Sequence, residues 1–249
     1  MNFQDVVVSV GGNVLLATSA DLQLSYPYDG IESLGSQGSP YSSDQRESGT
    51  LSISYYLQES DSAIRALIAD GNPITLVECK LSTFKITNAL LTSYSLSLKP
   101  FSLIEVQVSF SFFAHISTDS PATLTPDYLS ALINGADSSV TYSSNFNNRF
   151  LSCDLNITQE FEPTYNFGDS SPTAYSRTNG EISVKIEGDG LPSIITWPCP
   201  TDQSVTLSLA SICGALESLS YPNLTIKNMS TTAQVGGTAN GTVELYKLF

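Results

Sequence analysis

Three short stretches in the first half of this chain recur, in the same order, in the second half. Asp21-Leu22-Gln23-Leu24-Ser25 matches Asp154-Leu155-Asn156-Ile157-Thr158. Arg46-Glu47-Ser48-Gly49-Thr50-Leu51-Ser52-Ile53 matches Arg177-Thr178-Asn179-Gly180-Glu181-Ile182-Ser183-Val184, which makes Leu51 the counterpart of Ile182. Glu105-Val106-Gln107-Val108-Ser109-Phe110 matches Asn240-Gly241-Thr242-Val243-Glu244-Leu245. The separation of the two copies is nearly the same for all three. Between the first two anchors each half carries a long loop rich in aromatics, Ser, Gly and Pro. One loop holds Tyr26, Tyr28, Pro40 and Tyr41, and the other holds Tyr165, Phe167, Pro172 and Tyr175. Residues 1–125 carry five basic and twelve acidic side chains, and residues 126–249 carry five and twelve again. Shared order, shared spacing and shared charge point to an internal duplication. The expected organisation is a first β domain over 1–120, a helical linker over 121–137 and a second β domain over 138–249.

The polarity of the chain comes from hydroxyls. Ser and Thr make up 61 of 249 residues, whereas charged residues are only 14%. Such a composition suits strands and turns better than helices. Val6 to Val10 and Val14 to Ala17 flank Gly11-Gly12-Asn13, which predicts a hairpin. Leu51, Ile53, Tyr55 and Leu57 alternate with polar or wet positions, as do Val106, Val108, Phe110 and Phe112, and Ile182, Val184 and Ile186. That period of two describes a sheet with one buried face and one solvated face. Two helices are expected. One runs over Asp61 to Asp70 and carries Ile64, Leu67 and Ile68. The other starts at Thr125-Pro126-Asp127, carries Leu129, Leu132 and Ile133, and stops at Gly135. The prolines of Leu191 to Pro200 forbid a regular helix at the corresponding place in the second half. The fold class is mainly β: two tandem β-sandwich or barrel domains, each with at most one flanking helix.

Charge and chemistry exclude several functions. A net charge of −14 is the wrong sign for gripping phosphates or anionic lipid. No apolar run reaches the roughly 18 residues of a membrane span, so no membrane partner is expected. The N-terminus lacks the profile of a secretory signal, and folding in a cytoplasm is expected. The one histidine, His115, leaves little scope for a metal site or a catalytic triad. Cys79, Cys153, Cys199 and Cys213 have no metal-ligand spacing and read as buried thiols. Glu187 and Asp189 read as a solvated turn, and Gly236-Gly237 lacks the context of a phosphate loop. No enzyme, cofactor or metal is expected.

The segment Ser48-Gly49-Thr50-Leu51-Ser52-Ile53-Ser54-Tyr55, the helix Asp61 to Asp70, and the run Leu91-Thr92-Ser93-Tyr94-Ser95-Leu96-Ser97-Leu98-Lys99-Pro100 through Val106-Gln107-Val108-Ser109-Phe110 resemble bacteriophage tail tube proteins. The likeness covers roughly residues 5–114, and less closely 138–249. It implies a structural virion protein whose β-sandwiches form stacked rings around a lumen, with an extended hairpin loop touching the next ring. A tandem copy resembles tube proteins in which trimeric rings mimic hexamers. The implied partners are further copies of the chain, other tail proteins (tip or baseplate, terminator, tape measure, sheath) and DNA in transit. The implied place is the virion tail, assembled in the host cytoplasm. Under this reading the loop aromatics Tyr28, Tyr41, Tyr165, Phe167 and Tyr175 are inter-ring contacts, and Glu105, Glu181 and Glu244 are acidic lumen residues. An acidic lumen repels DNA and lets it slide. Two alternatives remain. One is another tail component of the same fold, such as a hub ring, terminator or distal tail adaptor. The other is a surface β-sandwich that binds a glycan or receptor, with a site near Trp197.

Overall fold

A computed structural model describes residues 7–25, 30–31, 41–42, 48–57, 64, 67, 74–113, 116–120, 132–142, 150–167, 169, 171–189, 202–211, 216–232 and 240–249. The described chain is built on strands. In order they are β1 (Val8–Val10), β2 (Asn13–Leu15), β3 (Ala17–Ser25), β4 (Gly30–Ile31), β5 (Tyr41–Ser42), β6 (Ser48–Tyr56), β7 (Val77–Leu81) and β8 (Phe84–Leu98). There follow β9 (Glu105–Phe112), β10 (Ser117–Thr118), β11 (Ile133–Tyr142), β12 (Phe150–Thr164), β13 (Ala174–Asp189), β14 (Gln203–Ser211), β15 (Leu216–Thr232) and β16 (Asn240–Leu248). Fourteen of them form one antiparallel sheet, and β4 pairs only with β5.

Eight strands lie side by side in the order β3-β6-β9-β8-β12-β13-β16-β15. Alternation sends one set of side chains from these strands inward. Leu51, Ile53, Tyr55, Tyr94, Leu96, Val106, Val108, Phe110, Leu155, Val184, Ile186, Val243 and Leu245 are buried. They share one apolar cluster with Val8, Val10, Cys79 and Ile86 of the strands flanking the first half, and with Val140, Val205, Leu207 and Leu209 of those flanking the second. The flanking strands thus cover the apolar face, as in a sandwich.

Two long strands carry the chain from one layer to the other. The start of β8 pairs with β7 and its remainder with β9; the start of β15 pairs with β14 and its remainder with β16. Each changes partner at an asparagine in the left-handed region, Asn88 at φ 58° and Asn223 at φ 58°. Asn enters this region more readily than other residues with a side chain.

The pairing order occurs twice. β3-β6-β9-β8-β7-β1 is matched by β12-β13-β16-β15-β14-β11. The registers agree residue by residue. Leu22 faces Leu51 where Leu155 faces Val184, and Leu51 faces Phe110 where Val184 faces Leu245. The irregularities agree as well. With Leu22 laid on Leu155, the break between Ala17 and Ser19 falls on the one between Phe150 and Ser152. With Phe110 laid on Leu245, the break between Leu91 and Ser93 falls on the one between Ile226 and Asn228.

Two expectations change. The second anchor pairs with the same offset as the first, so Leu51 corresponds to Val184 and not to Ile182. A slip of two positions leaves every side chain on its own face, so alternation alone could not detect it. The helix expected up to Gly135 gives way to strand from Ile133, where β11 takes the edge of β14. Its start, 121–131, lies outside the described residues. Of the helix expected over 61–70, only Ile64 and Leu67 are described. Ile64 is buried, and the Leu67 N–H donates to the Ile64 carbonyl at 3.1 Å. The predicted first hairpin is present, with Gly11 and Gly12 both at positive φ between β1 and β2.

Candidate functional site

Among the described residues no strand covers the other face of the eight-stranded sheet, which is polar, and its side chains line up in rows across the strands. One row runs Tyr56, Glu105, Ser97, Asp154, Lys185, Glu244, Asn228. A second runs Asp21, Ser52, Ser109, Ser93, Thr158, Glu181, Leu248. Between them lies Ser19, Ser54, Gln107, Ser95, Asn156, Ser183, Tyr246. The register therefore puts Glu105, Glu181 and Glu244, which alternation had singled out, on one face. It adds Asp21 and Asp154, which belong to the first repeated anchor, and Glu187, one same-face step beyond Lys185.

Hydrogen bonds tie these rows together. The Ser97 hydroxyl donates to Asp154 at 2.6 Å, and the Ser52 and Ser109 hydroxyls lie 3.0 Å apart. Lys185 is the one basic residue in the three rows. It lies 2.7 Å from Glu187, whose carboxylate also accepts from Ser152 at 3.4 Å. The Glu187 hydrogen bond holds the Lys185 ammonium above its ordinary pKa, and Asp154 and Glu244 add to the shift. The same lysine holds the Glu187 carboxyl below its ordinary value. The three rows are thus acidic on balance, with their single cation engaged. On this polar face a shallow hollow of about 330 Å³ between β9, β8 and β12 is lined by Ser95, Glu105, Gln107, Asp154 and Asn156.

The two ends of this sheet are open among the described residues. β3 pairs on one side only, with β6, and β15 from Thr225 onward pairs only with β16. At the seam between the halves, β8 and β12 bury Tyr94, Leu96, Leu98, Cys153, Leu155 and Ile157. The corresponding positions at the ends are far less covered. Ala20 and Leu22 are half-buried and Leu24 is 45% exposed; Met229 is half-buried and Thr231, at the place of Leu96, is exposed. Strand β3 contains neither Lys nor Pro, the residues that usually blunt an open edge.

The loop aromatics divide. Tyr28 lies outside the described residues, and Tyr41 pairs with Ile31 through the backbone of β5. Phe167, beyond the end of β12, is fully exposed. Tyr165 is half-buried. Tyr175 packs on its own chain, 6.1 Å from the Phe113 ring, and burial followed by the neighbouring Tyr165 raises its phenol pKa. His115, Trp197, Cys199 and Cys213 lie outside the described residues. Cys79 and Cys153 are free buried thiols, each pushed up to about 12 chiefly by desolvation. Among the described residues no three His, Cys, Asp or Glu side chains gather where a metal could bind, and no helix is long and apolar enough to cross a membrane.

Compared with known proteins, the chain matches no family model, and no curated protein matches it.

Proposed function

We propose that this chain is a structural virion protein, the subunit of a tail tube that self-assembles into stacked rings and conducts DNA. The observation that carries the proposal is the state of the two open edges. They repeat, position by position, the two sides of the β8–β12 seam inside the chain, yet among the described residues no strand pairs with them there. A unit that joins its own twin head to tail, and ends in the same two surfaces, can add another copy at each end and close into a ring. On this reading the chain is two tandem β units of tail-tube type, and the second begins at Ile133, with β11, in place of 138.

Three chains would give a barrel of about 24 strands, on the order of 50 Å across at the usual strand spacing and tilt. The acidic face would line it. Glu105, Asp154, Glu181 and Glu244 would then repel the phosphates of a passing duplex, leaving it free to slide. Exposed Phe167 suits a contact between stacked rings, together with partners at the tail tip, terminator, tape measure or sheath. The proposed location is the virion tail.

Mass measurement of the purified chain and negative-stain microscopy test the reading. Trimeric rings or tubes are expected, with the subunit among the most abundant proteins of the particle. A strictly monomeric species that joins no virion overturns it. Ring assembly at only a few copies per particle would instead assign the chain to another ring of the tail.

A further inference from the structure

We infer that the seam between successive copies joins β15 of one chain to β3 of the next in one definite antiparallel register. This inference rests on the self-assembly reading above and adds the residues that meet. Inside the chain, Ser93, Tyr94, Ser95, Leu96 and Ser97 of β8 face Thr158, Ile157, Asn156, Leu155 and Asp154 of β12. The paired registers and breaks lay β15 on β8 with Asn228 at the place of Ser93, and β3 on β12 with Leu22 at the place of Leu155. Transposing the seam sets Asn228 against Ser25, Met229 against Leu24, Ser230 against Gln23, Thr231 against Leu22, and Thr232 against Asp21.

Two of the transposed pairs are chemically matched, while at a third Thr231 stands in the place of buried Leu96. Met229 and Leu24 take the places of Tyr94 and Ile157, so two partly exposed apolar side chains would cover one another. Thr232 takes the place of Ser97 and Asp21 that of Asp154. The 2.6 Å hydroxyl-to-carboxylate hydrogen bond of the internal seam thus has its donor and acceptor types at the outer seam. Asp21 already accepts from the Gln23 amide at 2.8 Å along its own strand, which holds the carboxylate on the polar face. A slip of one position would set the apolar face of one copy against the wet face of the next, and a slip of two, which keeps the faces, would part Met229 from Leu24 and Thr232 from Asp21.

Cysteine cross-linking tests the register. Ser230 and Gln23 are exposed and on the polar face, so Ser230→Cys with Gln23→Cys in one chain leaves the core untouched. Directly opposed residues lie within disulfide reach. Air oxidation with a copper catalyst should convert this variant to a covalent ring on a non-reducing gel. Ser230→Cys with Ser25→Cys, two positions out of register on the same exposed face, should link no more than the single variants. Rings in the microscope that fail to cross-link through the first pair, whether or not they do so through the second, overturn the register while leaving the assembly reading intact. Absence of both rings and cross-links, with far-UV dichroism unchanged, overturns both.

Discussion

Replacing Asn88 or Asn223 by alanine should destabilise the protein, and replacing either by glycine should not. Both residues hold the left-handed conformation at φ 58°, at the point where β8 or β15 leaves one layer of the sandwich for the other. For a residue with a Cβ that conformation costs roughly 1–2 kcal/mol, and asparagine avoids part of the penalty. Alanine should therefore lose about 1 kcal/mol and valine, β-branched, more than alanine. Glycine removes the steric penalty but adds about 0.5–1 kcal/mol of chain entropy to the unfolded state, so its net effect is near zero. For a chain of this size, 1 kcal/mol corresponds to about 2–4 °C in Tm. The assay is thermal unfolding followed by circular dichroism, with all variants at one protein concentration because assembly shifts the apparent Tm. The order glycine, alanine, valine should hold at both positions. If glycine lowers Tm as much as alanine does, the side-chain amide and not the backbone dictates the residue, and the steric account of the two corners fails.

Three further outcomes follow from local geometry. Gly135 donates its N–H to Ser102 at 2.7 Å and lies against the Lys99 carbonyl, so Gly135→Ala should cost roughly 1–3 kcal/mol by forcing backbone apart, measured by denaturant titration. Lys80 binds Asp119 at 2.7 Å and, with the Ser120 amide, holds its carboxyl below the ordinary value. The stabilisation from this pair is present above the ordinary carboxylate pKa and is lost as pH falls through the depressed one. Hydrogen exchange at the Asp119 amide, which donates to the Thr83 carbonyl at 2.9 Å, should lose protection on acidification, and Lys80→Met should flatten that response. The Cys79 and Cys153 thiols, raised to about 12 by burial, should resist iodoacetamide at mildly alkaline pH until the protein is unfolded, as read by peptide mass mapping. Rapid native labelling of either would contradict their placement.

The sequence by itself determined the strand content and the buried face. Alternation at Leu51, Ile53 and Tyr55, and at Val106, Val108 and Phe110, needs no neighbour to be read, because successive side chains of a strand point to opposite faces. The same rule put Glu105, Glu181 and Glu244 on wet positions. That they share one face with Asp154 and Lys185 was decided by register, which depends on strands distant from one another along the chain. Leu129, Leu132 and Ile133 have helical spacing, yet Ile133 is drawn into β11 because the edge of β14 offers it a ladder. A short apolar run carries too little local preference to resist such a partner. Nor could composition distinguish β3 from β12, which look alike in sequence. Only the tertiary structure decided that β12 lies paired on both sides while β3, among the described residues, pairs on one side alone, because hydrogen-bond saturation is a property of neighbours and not of the strand itself.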